Sequence, residues 1–141
     1  MSETHRPSRI GRSIGAVLAG FVTVVVLSIG TDAVMHASGV FPALGQPMVT
    51  ALWLLATAYR AVYAVAGSYL AARLAPDRPM WHALALGAVG LVVSTVGVVA
   101  TWNQGPEFGP KWYPLGLVAS AIPFSWMGGR LFGVAARGSL T

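Results

Sequence analysis

Asp32 and His36 stand four residues apart in "SIGTDAVMHASGVFP" (28–42), directly after the apolar run "IGAVLAGFVTVVVL". A spacing of four puts both side chains on one face of a helix, and Ser28 extends that face by a turn. A carboxylate and an imidazole inside a lipid-facing segment suit two kinds of chemistry. They can pair with a cation and fix one helix against another, or they can carry protons and hold a cationic or polar solute. A partner is at hand in "ATAYRAVY" (56–63), where Arg60 lies between Tyr59 and Tyr63. Asp32 is the acidic residue inside the apolar segments, so an Asp32–Arg60 ion pair is expected, with Tyr59, Tyr63 and His36 as hydrogen-bond partners. An arginine about 12 residues into an apolar helix sits roughly 18 Å deep. Leaving it unpaired there costs on the order of 3 kcal/mol.

The same residues carry three readings. The pair is structural and sets helix register, or it is a transport or binding site, or it meets lipid headgroups at the membrane surface.

The elements that must position these groups follow from composition. The chain has 141 residues, of which 55% are hydrophobic and 9% charged, and its mean hydropathy is +0.68. Soluble domains carry roughly 25% charged residues, so this chain reads as a membrane protein. Four segments are long and apolar enough to span a bilayer, at about 14–36, 48–72, 81–102 and 112–133, after a tail at 1–13. The intervening "FPALGQP", "APDRP" and "NQGPEFGPK" carry turn chemistry. The expectation is an all-α membrane protein forming one domain, an antiparallel four-transmembrane-helix bundle with N and C termini cytoplasmic.

Charge sets the orientation. Arg6, Arg9 and Arg12 precede the first span, Arg73 and Arg78 flank the second connection, and Arg130 and Arg137 close the fourth. The first connection has no basic residue, and Lys111 in the third is opposed by Glu107. Lys and Arg resist translocation, which assigns both tails and the Arg73–Arg78 turn to the cytoplasm. The same rule accounts for the net charge of +5 without nucleic acid. Trp81, Trp102 and Trp112 sit at span ends, at the headgroup level. The basic start also fits a signal peptide, but the apolar run exceeds the usual ~7–15 residues.

The third span carries a stripe of small residues, Ala83, Gly87, Gly90, Ser94, Gly97 and Thr101, spaced four, three, four, three, four. The second has a shorter one at Ala64, Ser68 and Ala72. Small stripes let helix backbones approach in lipid. Packing within the bundle along Gly87, Gly90, Ser94 and Gly97 is the first expectation, and a homodimer seam is the alternative. Pro123 should kink the fourth span and free a carbonyl that Ser120 or Ser125 satisfies. The doublet Gly128–Gly129 reads as a flexible helix end, and His82 as an anchor near lipid headgroups.

With no cysteine, thiolate chemistry is excluded. His36 and His82 fall at opposite faces and His5 in the tail, so no metal site or cofactor is expected. No nucleophile elbow, phosphate loop or metalloprotease motif is present, so the chain does not read as an enzyme.

The stretches "YRAVYAVAGSYLAARLAPDRPMWHALALG" and "GPKWYPLGLVASAIPFSWMGGRL" cover about a third of the chain. They resemble an uncharacterised family of small bacterial inner-membrane proteins predicted to span the membrane four times. The resemblance implies a bacterial inner-membrane location and no activity. The expected function is that of a small accessory or structural membrane protein. Its partners are then the lipid bilayer and a second copy or another membrane protein. The alternative is a small-solute or proton-coupled transporter, working as an oligomer with Asp32, His36 and Arg60 at its polar site.

Overall fold

A computed structural model describes residues 8–140; Arg6 and His5 lie outside the described residues. Within that range the chain is all-helical. Four long helices, α1 (Arg9–Ala37), α2 (Thr50–Leu74), α3 (Pro79–Thr101) and α4 (Trp112–Gly138), follow in order, with one 3-10 turn at Pro106–Phe108 before α4. Each boundary has a local cause. The Ser8 side chain accepts from the Gly11 amide at 3.2 Å and caps α1. Gly39, at φ +78, takes the left-handed position that closes it. Pro79, which has no amide hydrogen to leave unsatisfied, opens α3.

The helices outrun the expected spans at several ends. α1 begins at Arg9 rather than near 14, α2 continues to Leu74 past 72, and α4 continues to Gly138 past 133. Three helical segments are long and apolar enough to cross a membrane: Arg9–Ala37, Pro79–Thr101 and Pro106–Gly138. α2 falls short of that mark because Arg60 and three tyrosines interrupt its Ala, Leu and Val.

α2 touches each of the other three helices, and α3 packs chiefly on α4. Glycines set the closest approaches. A Cβ on Gly20 of α1 would stand 2.6 Å from the Gly67 carbonyl oxygen of α2. One on Gly87 of α3 would stand 2.7 Å from Ser125 Cβ of α4, and one on Gly128 of α4 would stand 2.7 Å from Ser68 Cβ of α2. One on Gly129 would stand 3.0 Å from Ala83 Cβ of α3. Gly128 and Gly129 are therefore buried packing positions inside α4, and the flexible-end expectation is corrected: with the helix running to Gly138, the doublet falls where backbones must meet.

The small stripe of α3 packs along only part of its length. Ala83 is fully buried and Gly87 is tight, but Gly90 has Ala121 Cβ at 3.9 Å and Gly97 has nothing within 4 Å. The helices are close in the half that holds the chain ends and diverge toward the α1–α2 and α3–α4 connections. Nor does a serine answer Pro123. Ser125 accepts a 3.0 Å hydrogen bond from the buried Ser68 hydroxyl, and Ser120 donates to the Leu117 carbonyl, while α4 stays continuous through the proline. The outward faces are apolar: Val26, Ile29, Val92, Val96 and Val99 are each at least 60% exposed. An outer surface of that kind matches lipid rather than water.

Candidate functional site

Arg60 Nη2 stands 2.5 Å from Asp32 Oδ2. The two residues start at different depths. Counting 1.5 Å per residue, Asp32 lies about 8 Å from the end of α1 and Arg60 about 15 Å from the start of α2. Helix polarity closes the gap. Side chains lean toward the N-terminus of their own helix, and the two helices run oppositely where they meet, so Arg60 leans toward the connecting loop and Asp32 away from it. The long arginine stem covers the remainder.

Tyr59 completes the unit. Its hydroxyl donates to Asp32 Oδ1 and accepts from Arg60 Nη1 at 3.2 Å. The guanidinium also stands 5.3 Å from the Tyr59 ring centre and 5.9 Å from that of Tyr113 on α4, a cation–π arrangement on two sides. Both carboxylate oxygens are thus occupied, and the positive charge is spread over one carboxylate and two rings.

Two expected partners sit elsewhere. Tyr63 hydrogen-bonds Thr31 at 2.6 Å, one turn away from the pair, with its ring 5.7 Å from that of Tyr59. His36 does not reach Asp32. Its Nδ1 is 2.7 Å from the Pro42 carbonyl oxygen, and its ring meets Phe41 edge-on at 5.4 Å. The loop turns back over the end of α1 and captures the imidazole, so His36 fastens the α1–α2 connection. At the other end of the helices, His82 Nδ1 lies 3.2 Å from the Arg78 carbonyl oxygen.

The ion pair is not sealed. Its side chains remain 24% and 31% exposed, because they line a cavity of about 350 Å³ where the helices diverge. Phe41, Trp53, Tyr113, Ser94 and Gly97 form walls, and Glu107 stands at the rim. Sequence reasoning missed Trp53 and Tyr113. Trp53 is buried, its ring centre 4.6 Å from that of Tyr113, and Gly109, at φ +87, lies so close over the indole that a Cβ there would stand 2.6 Å from it. Glu107 makes no ion pair among the described residues, and Lys111 Nζ sits 4.5 Å over the Trp102 ring. A second cavity of about 330 Å³ continues between the helices, lined mainly by apolar side chains including Phe21, Val25, Val93 and Phe124. Arg60, Ser94 and Leu117 border both cavities.

Comparison of the chain with protein-family models, with curated proteins and with solved structures finds no match. The functional reading therefore rests on the geometry alone.

Proposed function

We propose that the chain is a small multi-pass protein of a bacterial inner membrane, four antiparallel spans with both termini cytoplasmic, serving an accessory or structural role. α2 counts as a span on this reading because its interrupting charge is neutralised within the fold. The carrying observation is the Asp32–Arg60–Tyr59 unit: the charges that lipid would penalise satisfy one another and hold α1 on α2 in one register. The experiment is a double-mutant cycle on folded yield in detergent. Asp32→Asn and Arg60→Gln should each strand a charge, at about 3–5 kcal/mol, and the double variant should recover part of that loss. Additive losses, with no coupling, would remove the structural reading.

A second reading has its own observation. The pair borders an open cavity, which favours a small-solute or proton-coupled transporter whose polar site includes Asp32 and Arg60, with His36 at the loop. Four helices enclose little volume, so alternating access would call for a second copy. Here Asp32→Asn folds normally and loses solute binding.

A further inference from the structure

The cavity at the pair has a net charge and a shape that select one class of ligand. Two carboxylates, Asp32 and Glu107, face one guanidinium, Arg60. Arg60 and Asp32 cancel at 2.5 Å, which leaves Glu107 uncompensated at the rim, since Lys111 is turned onto Trp102. Between rim and pair stand aromatic walls, Trp53 against Tyr113 and the buried Phe41. The Tyr113 face already carries Arg60 and the indole lies under Gly109, so these walls offer apolar contact and the rim carboxylate supplies the charge. Below the pair lies the apolar second cavity, whose bordering charge is Arg60. A cation is therefore attracted at the rim and repelled deeper down, while an apolar substituent is accepted at both levels.

We propose that this cavity binds a monovalent organic cation with bulky apolar substituents, its charge held at Glu107 and its apolar part laid along the Trp53–Tyr113 wall and past Arg60. The inference rests on the solute-site reading above and names its ligand class. A volume of about 350 Å³ lies within the range of small-molecule pockets.

The test uses two ions of matched shape and opposite charge, tetraphenylphosphonium and tetraphenylborate, titrated by calorimetry into the full chain in nanodiscs, with empty nanodiscs as the blank. The phosphonium should bind above the blank and the borate should not. Glu107→Gln, an exposed loop change outside the ion pair, should weaken phosphonium binding about tenfold, because a carboxylate at an exposed rim attracts the cation through water-screened charge. Glu107→Asp should restore most of it. Equal or tighter binding of the borate would overturn the cation assignment while leaving a solute site in place. Unchanged phosphonium affinity in Glu107→Gln would overturn the role of the rim carboxylate and the proposal with it. Binding of neither ion would overturn the proposal and the solute-site reading together.

Discussion

The Tyr59 hydroxyl donates to Asp32 Oδ1 and accepts from Arg60 Nη1, so one phenol joins both members of the ion pair. Tyr59→Phe should therefore leave a carboxylate oxygen and a guanidinium donor short of partners, at about 1.5–3 kcal/mol. Tyr63→Phe removes only the bond to Thr31 and should cost about 1 kcal/mol. Thermal unfolding of the two variants in the same detergent measures the difference; equal losses would show that the Tyr59 bridge contributes nothing of its own.

Gly87 and Gly97 lie on one stripe of α3 but in different surroundings. Gly87→Ile must push Ser125 away, and overpacking of that kind costs about 1–3 kcal/mol or more. Gly97→Ile points into open space and should fall within about 0.5 kcal/mol. The midpoints of unfolding should separate accordingly, and a Gly97 variant as unstable as the Gly87 variant would contradict the divergence of the helices.

His36→Ala should loosen the α1–α2 connection while sparing the ion pair. The lost hydrogen bond to Pro42 is worth about 1 kcal/mol, so amides of the loop at 38–49 should exchange faster while those of α2 around Arg60 hold. Protection lost at Arg60 instead would make His36 part of the polar cluster.

Topology is open to a clean labelling experiment, because the chain has no cysteine. A single cysteine at Ala43 should react with a membrane-impermeant maleimide from outside intact cells. Single cysteines at Asp77 and Ser139 should react only after the membrane is opened. Outside labelling at Asp77 would refute the antiparallel arrangement with cytoplasmic termini.

The sequence was informative wherever one segment decided the outcome. Apolar runs broken by Pro and Gly marked all four helices to within a few residues. Asp32 and Arg60, the charges farthest inside those runs, had few ways to be neutralised except by each other. What spacing could not show was which side chain meets which across helices. Tyr59 and Tyr63 are chemically alike and one turn apart, and only the rotation of α2 decides that the first takes Asp32 and the second Thr31. Gly128 and Gly129 looked like a helix end because the expected span stopped at 133; their role depends on where α2 and α3 pass. Lys111 entered only as a charge in the third connection, and nothing in its spacing showed that its ammonium would lie over the Trp102 ring. His36 was diverted by a loop whose return path no periodicity encodes.

The ion pair spans 28 residues of sequence, and this separation has a consequence for synthesis. At about 5–20 residues per second, Asp32 emerges from the ribosome more than a second before Arg60 does. During that interval α1 must enter the membrane with its carboxyl alone, a burden of up to about 3 kcal/mol for an aspartate at depth. The Val and Leu run upstream of Ser28 is what drives that step, without help from α2. Shortening that run should therefore stall insertion of the nascent chain even when the finished protein would have been stable.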